Sequence, residues 1–422
     1  MLDITFIKEN PQLVIDSMNN KGENNAQLVQ QLIDKDEQWR QLVHQIDLFR
    51  AKSNKVAKQI GALMASGKKE EAQAIIQETT KSKDEVKKLE DQLNVIAEER
   101  TSLLLRIPNV AHPSVPIGHS EEDNQVYGTW GSPDTQSWLK PHWDILERYG
   151  WLDFERGVKV TGTGFPFYLG PLAQLQRTLI HFFIDEANKA GYIEMQAPYF
   201  INEDSARGTG QIPDKEDMMY EILRDAFFAI PTAEVPVTNF HRDEILSEEQ
   251  LPIRYVCHTP CWRREAGSYG KDVRGLNRLH QFDKVELVHF VKPEESYATL
   301  ELLRVHVESL LQKLGLAYQT LLMCTGDMGF TQTKKYDVEV WSPGQQRWLE
   351  VSSCSNFEAF QARRMQLRYR KGEKETEMVH TLNGSGLALP RVLSAIVETY
   401  QTENGRVRVP DILKKYIDRE YL

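Results

Sequence analysis

The sequence predicts an α+β protein in two parts: a long antiparallel coiled-coil hairpin, then a mostly antiparallel sheet flanked by helices. Two observations carry this. Apolar residues recur every seven positions from Leu28 to Leu103, the period of a helix that packs along one seam. Beyond residue 190, short alternating segments follow one another with brief connections, broken by two amphipathic helical stretches, which is the pattern of an antiparallel sheet with helices laid against it.

The chain opens with a small helical segment, residues 1–26, with Pro11 early in a helix and a polar break at Asn19 to Asn25. Leu32, Trp39, Ile46, Ser53 and Ile60 then form one seam, and Leu28, Leu42, Phe49, Val56 and Leu63 the other, with only Lys35 and Ser53 interrupting it. The pattern stops at Ser66-Gly67 and resumes with Ala72, Thr79, Val86 and Leu93 beside Ile75, Ser82, Leu89, Ile96 and Leu103. Two heptad helices joined by a short glycine-containing turn fold back as a hairpin. Each arm of some 40 residues would reach ~60 Å. The prolines Pro108, Pro113, Pro116, Pro133 and Pro141 mark residues 107–141 as a linker. Leu172 to Ala190 reads as an amphipathic helix started by Gly170-Pro171. Tyr192 to Gln196, Arg254 to His258, Val285 to Phe290, Tyr336 to Trp341 and Arg347 to Ser352 read as strands, Glu295 to Leu314 and Pro390 to Gln401 as helices. The expected domains are 1–106, carrying the arm at about 27–104, and 107–422.

Composition bounds the partners. With 41% hydrophobic and 27% charged residues the chain is of ordinary globular type, and its net charge of −10 argues against bulk electrostatic binding of nucleic acid while allowing a local basic patch. Such a patch exists on the arm: between Leu48 and Lys69 there is no acid, yet Arg50, Lys52, Lys55, Lys58, Lys68 and Lys69 all fall there. A run of this kind is either a solvated helix face or a contact for a phosphate backbone read by shape. The four cysteines, Cys257, Cys261, Cys324 and Cys354, are too scattered for a disulfide framework, and buried thiols are expected in place of a metal cluster. No apolar run is long enough for a membrane span and the N-terminus has no targeting character, so a reducing cytoplasm is the expected location.

Four segments carry the chemistry. Cys261 to Glu286 places Arg263, Arg264 and Glu265 ahead of a loop with Gly267, Gly270, Gly275, Lys271, Arg274 and Arg278. Such a cationic loop between strands either holds a polyphosphate, whose oxygens match arginine forks, or is a solvated basic hairpin. Pro231-Thr232-Ala233-Glu234 brings a hydroxyl and a carboxylate together. In Glu350-Val351-Ser352-Ser353 an unbroken strand would set Glu350 and Ser352 on one side and Ser353 on the other, unless it bulges. Asn383 to Arg391 sets small residues at a close approach, followed by Arg391 in a helix start, where a cation is disfavoured unless it meets a ligand.

In this order and spacing the segments resemble seryl-tRNA synthetase, a class II aminoacyl-tRNA synthetase, over essentially the whole chain. Residues 191–200 are similar to its motif 1, 261–286 to motif 2 and 383–391 to motif 3. The resemblance implies a class II catalytic domain and ATP-dependent attachment of L-serine to tRNA(Ser) through seryl-adenylate, with tRNA(Sec) as a candidate second substrate. It implies that Arg263 grips the α-phosphate of ATP, with Arg264 in the same nucleotide site and Glu265 near the adenine. Phe282 and Arg391 would cover the two faces of the base, and Leu279 would line its pocket. Glu350 and Ser353 would hold Mg²⁺, beside Val351 and Ser352. Thr232, Ala233, Glu234, Glu286 and Ser385 would bind serine, Glu286 taking its hydroxyl. The arm would contact tRNA from a homodimer in the cytoplasm.

Pro390 and Leu389 stand where the family has smaller residues, Trp262 where it has phenylalanine or tyrosine, and Arg264 where it has serine; none removes an assigned role. Three other readings remain from the residues: a paralogue that loads a carrier protein, an RNA-binding scaffold with a decayed nucleotide site, and a sister enzyme for threonine or proline. The complete arm opposes the first, the retained charged residues the second. The short segment after Arg391, together with the arm, opposes the third.

Overall fold

The computed structural model describes residues 1–265 and 274–422, with the backbone alone for residues 72, 74–84 and 216. It divides into two compact units, residues 2–19 with 23–108, and residues 109–422 with Met1 and 20–22.

The first unit begins with the helices Ile4–Glu9 and Pro11–Asn20. The Asp3 carboxylate caps the former by accepting from the Thr5 N–H at 2.8 Å. Helices Ala26–Ala65 and Lys69–Leu105 then form the antiparallel hairpin, turned at Gly67 with φ +79°, a conformation that glycine adopts without a Cβ penalty. The heptad prediction describes the packing well. Leu28, Leu32 and Ile46 are buried, and Trp39, Leu42, Phe49, Ser53, Val56, Ile60 and Leu63 are partly covered while their neighbours face solvent. On the returning helix Val86, Leu89, Leu93, Ile96 and Leu103 are covered in the same way, whereas the side chains of Ala72, Ile75, Thr79 and Ser82 lie outside the description. Lys35, the break in the stripe, pairs with Glu99 at 2.6 Å. At its base the unit buries a charge that the apolar pattern did not reveal. Asp36 has a 1% exposed side chain and meets Lys8 at 2.9 Å, Arg40 at 3.0 Å and Arg100 at 2.8 Å.

The second unit is built on an eight-stranded sheet. In chain order its strands are β1 (Gln125–Trp130), β2 (Ile193–Met195), β3 (Ile253–Trp262), β4 (Gln281–Val291), β5 (Tyr318–Leu322), β6 (Lys334–Ser342), β7 (Arg347–Asn356) and β8 (His380–Ala388). Across the sheet they run β1-β5-β6-β7-β8-β4-β3-β2, antiparallel throughout except for the β2–β3 pair. Leu300, Leu303 and Val307 of the helix Ser296–Lys313 share one core cluster with Leu393, Ile396 and Val397 of the helix Leu389–Thr399 and with Leu287, Val338 and Leu382 of the sheet. The helix Pro171–Lys189, with Pro171 at its start, adds Leu175, Leu179, Phe182 and Phe183.

One expectation is corrected. The supposed linker 107–141 contains β1, an edge strand paired with β5, and a bulge between Val126 and Gly128 interrupts its alternation. Segment 380–388 is a central strand, and its small residues stand at the close approach expected of them. Its glycines answer to packing: a Cβ on Gly384 would come 3.1 Å from the Leu303 side chain, and one on Gly386 3.1 Å from Leu287.

Candidate active site

Strands β4, β6, β7 and β8, with the start of the helix Leu389–Thr399, wall a cleft of ≈ 450 Å³. Thr232, Glu234, Arg263, Glu265, Leu279, Phe282, Glu350, Val351, Ser352, Ser353, Ser385 and Arg391 all line it. Residues as distant in sequence as Phe282 and Arg391 thus reach one hollow, because β4 is hydrogen-bonded to β8, which leads directly into the helix carrying Arg391, and β7 lies beyond β8.

One end of the cleft is a buried polar network. The Asn383 amide donates to Glu234 Oε2 at 3.0 Å and to Glu286 Oε1 at 2.9 Å, bridging two carboxylates. Gln361 donates to Glu234 Oε1 at 2.7 Å. Thr232 donates its hydroxyl to Glu286 Oε2 at 3.3 Å and accepts from the Glu234 N–H at 3.2 Å. Lys284 forms an ion pair with Glu286, as residues two apart on a strand can. Burial and then the field of Glu286 push the Glu234 carboxyl above its ordinary value, so this end favours an incoming cation. Glu286 is wholly buried and lies behind the wall formed by Thr232, Lys284, Asn383 and Ser385. Ala233 is buried as well and contributes no lining side chain.

The other end carries separated charges. The Arg263 guanidinium lies 5.2 Å from the centre of the Phe282 ring, and its Nε donates to the Pro231 carbonyl at 3.2 Å. Glu265, with φ +47°, faces Arg278 at 3.4 Å. Arg391 donates from Nε to the Asn277 carbonyl at 3.1 Å and from a terminal nitrogen to the Glu350 carbonyl at 2.7 Å. A register shift at β6–β7 pairs Val338 with Ser352 and Glu339 with Glu350. Val351 is therefore the extra residue of a bulge, and Glu350 and Ser353 come to share the cleft side while Val351 and Ser352 are buried. Ser352 donates instead to the Ser385 carbonyl at 2.6 Å.

On β6, Lys335, Asp337 and Glu339 stand opposite Ser355, Ser353 and Glu350. Burial pushes the Asp337 carboxyl up to about 7 despite Lys335, which pairs with it at 2.8 Å. Loss of water in the cleft pushes Glu350 upward, but Lys335, Arg391, Arg263 and Lys284 outweigh this and hold it below its ordinary value. An ionised carboxylate and a hydroxyl on one face are oxygen donors suited to a hard divalent cation that keeps most of its shell for water and phosphate. Among the described residues no three His, Cys, Asp or Glu side chains converge as a self-sufficient metal cage.

Some expected residues lie elsewhere. The Arg264 side chain is exposed and outside the cleft lining. Arg274 stacks over Trp143 at 4.8 Å and approaches Asp144 at 3.9 Å, while Arg278 lines the cleft. Gly267, Gly270 and Lys271 lie outside the described residues. The four cysteines are free and buried. On the arm Lys52, Lys55, Lys58 and Lys69 are exposed with no ion-pair partner among the described residues, while Arg50 pairs with Glu90 at 2.7 Å and Lys68 with Glu71 at 3.1 Å. Sequence reasoning missed Lys284, Lys335, Gln361 and Asn383 as site residues. Lys284 had a signal in its two-residue spacing from Glu286, and Asn383 in opening the segment 383–391; Lys335 and Gln361 had none.

Comparisons with known proteins identify the family and the overall fold. Residues 220–400 match the family model of the tRNA synthetase class II core domain (G, H, P, S and T), and residues 1–111 the seryl-tRNA synthetase N-terminal domain. The serine–tRNA ligase of Salinibacter ruber is 54% identical over 99% of this chain and 98% of its own. That of Geobacter sulfurreducens is 47% identical over 99% and 98%. The crystal structure of seryl-tRNA synthetase from Pyrococcus horikoshii complexed with ATP superposes with a TM-score of 0.93 at 35% identity, covering 100% of this chain and 99% of that one. With both domain models matched in order and relatives aligned end to end, the chain belongs to the seryl-tRNA synthetase family of class II aminoacyl-tRNA synthetases.

Proposed function

We propose that the cleft joins L-serine to ATP as seryl-adenylate and then transfers the seryl group to tRNA(Ser). The observation that carries this is the division of one cleft into a buried end, with Glu234 and Glu286 tied by Asn383, and an open end, where Arg263 and Arg391 stand near Glu350. The substrate ammonium answers the excess negative charge at Glu234, and its hydroxyl takes an acceptor position on Glu286. Its carboxylate, already ionised near neutral pH, then lies toward Arg263.

No general base is needed for the first step. A carboxylate oxygen of serine attacks the α-phosphorus, a new P–O bond forms, and the bond to the bridging oxygen breaks to release pyrophosphate. The demand on the protein is in-line positioning and neutralisation of spreading negative charge. Arg263 meets the α-phosphate and Arg391 the base, with Phe282 on the opposite face once the arginine now stacked on it turns to the phosphates. Glu350 and Ser353 would hold Mg²⁺, which when bound would offset phosphate charge. In the second step the terminal tRNA hydroxyl attacks the acyl carbon and AMP departs.

The arm serves the tRNA. Its exposed lysines suit contact with a phosphate backbone, whose recognition depends on charge and shape. The same reading makes the enzyme a cytoplasmic homodimer. The free cysteines accord with a reducing compartment, and no helix among the described residues is long and apolar enough to cross a membrane. ATP–pyrophosphate exchange with serine, alanine, threonine and glycine in parallel tests the proposal. Exchange strongly favouring serine is expected, and exchange with none of the four would overturn it.

A further inference from the structure

Behind the nucleotide end of the cleft lies a second, fully buried polar network that the chemistry above does not use. His142 begins the helix His142–Tyr149, and Glu398 lies near the end of the helix Leu389–Thr399; both are 0% exposed. Glu398 accepts from the His142 backbone N–H at 2.9 Å and from His142 Nδ1 at 2.8 Å. It also accepts from the Gly344 N–H at 3.0 Å, from Gln345 Nε2 at 3.2 Å and from the Ser342 hydroxyl. The opposite ring nitrogen, His142 Nε2, accepts from the Leu276 N–H at 2.9 Å. A backbone N–H can only donate, so Nε2 carries the lone pair and Nδ1 the proton given to Glu398.

Leu276 and Asn277 lie near the end of the cationic loop, shortly before β4 begins at Gln281, and both line the cleft. Gly275, at φ +63°, is pressed so close that a Cβ there would stand 2.2 Å from His142 Nε2. Asn277 is gripped through its side chain by Gln345, at 2.9 Å and 3.2 Å. Its carbonyl is free to accept from Arg391 Nε at 3.1 Å. The chain of contacts is thus continuous: Glu398 to His142, His142 to Leu276, and Asn277 to Arg391.

We infer that His142 and Glu398 are a positioning pair for the nucleotide: they pin Leu276 and Asn277, and the Asn277 carbonyl sets the guanidinium of Arg391. The inference rests on the proposed role of Arg391 toward ATP. Its consequence is one-sided. The serine end is held by Asn383, Gln361, Thr232 and Lys284, none of which touches this network. Loosening the pair therefore weakens ATP and spares serine.

The test is pyrophosphate exchange on the full-length enzyme carrying His142→Gln, His142→Asn or Glu398→Gln. Glutamine at 142 keeps an acceptor at the reach of Nε2, whereas asparagine keeps only the short-range donor toward Glu398. Loss of one such hydrogen bond corresponds to about a fivefold effect. The expected result is a rise of about fivefold or more in KM for ATP in His142→Asn and Glu398→Gln. KM for serine should stay within about twofold, with His142→Gln nearer the wild type. Adding Arg391→Ala separates relay from general damage, since the His142→Asn effect on ATP should then vanish. Parallel rises in both KM values, or an undiminished effect in the Arg391→Ala background, would overturn the inference. Should His142→Asn not fold, Gly275→Ala perturbs the same contact from the loop and is held to the same outcomes. Wild-type exchange that shows no preference for serine would overturn the proposed function instead.

Discussion

Replacing Glu286 by glutamine isolates what its charge does. Among the described residues its Oε2 accepts from Lys284 and Thr232 and its Oε1 from Asn383. A carboxylate offers about four acceptor positions, so one remains for the hydroxyl of serine. Glutamine keeps the shape but turns one oxygen into a donor, which must then face a donor. The hydrogen bond lost to the substrate is one to a charged group, worth about 1.5–3 kcal/mol, so kcat/KM for serine should fall about 10- to 150-fold. Alanine never made that bond, and its efficiency should change little, collapsing the serine/alanine ratio by nearly the same factor. Lys284, only 6% exposed, also loses its counter-ion; removing one partner of a buried pair costs about 3–5 kcal/mol of stability. Denaturant unfolding must therefore accompany the kinetics, to show that the assayed protein is folded. If serine and alanine fall together and their ratio holds, Glu286 only shapes the wall behind which it lies, and its role toward the hydroxyl is refuted.

Substituting Lys52, Lys55 and Lys58 together by alanine should leave pyrophosphate exchange intact and weaken tRNA charging. The log–log salt dependence of tRNA binding should flatten by about 0.7–0.9 for each phosphate no longer neutralised; an unchanged slope would show that the arm's lysines are merely solvated. Asp36→Ala leaves Lys8, Arg40 and Arg100 without their shared carboxylate and should destabilise the N-terminal unit by about 1.5–3 kcal/mol, read by denaturant melting of the full chain. Burial pushes the Asp36 carboxyl upward, but hydrogen bonds from Lys8 and Arg100 outweigh it and hold the carboxyl below its ordinary value. Its contribution is thus complete above the ordinary aspartate range and lost as pH falls through the lowered folded-state value. The wild type should lose stability on acidification through that window, and Asp36→Ala should lose less; equal slopes would refute the assignment.

Much of this protein is written in short-range pattern. The seven-residue repeat from Leu28 to Leu103 was enough to predict both long helices and their turn, because a seam position is decided by residues three and four away on the same helix. Alternation located β3, β4, β6 and β7 to within a few residues. It failed where glycine, proline or a bulge broke the period: β1 lay hidden in a proline-rich stretch, and β8 showed no alternation because Gly384 and Gly386 are small for the sake of Leu303 and Leu287. Buried charge was equally invisible, since Asp36 reads as one more polar residue on a solvated helix.

Residue type and order alone determined that this chain carries an arm, a cationic loop between strands, and the four segments of a seryl-tRNA synthetase. Tertiary structure decided what those segments do to one another. Register between distant strands brought Glu286 and Asn383 into contact, a neighbouring segment brought Thr232 against Glu286, and the bulge at Val351 turned Glu350 and Ser353 to one side. Packing put Glu286 behind the wall and not on it, and set His142 and Glu398 beneath the nucleotide end. Periodicity is a local property and survives in the sequence. Register, bulges and burial are settled only when strands from opposite ends of the domain meet, and at those meetings the chemistry is assembled.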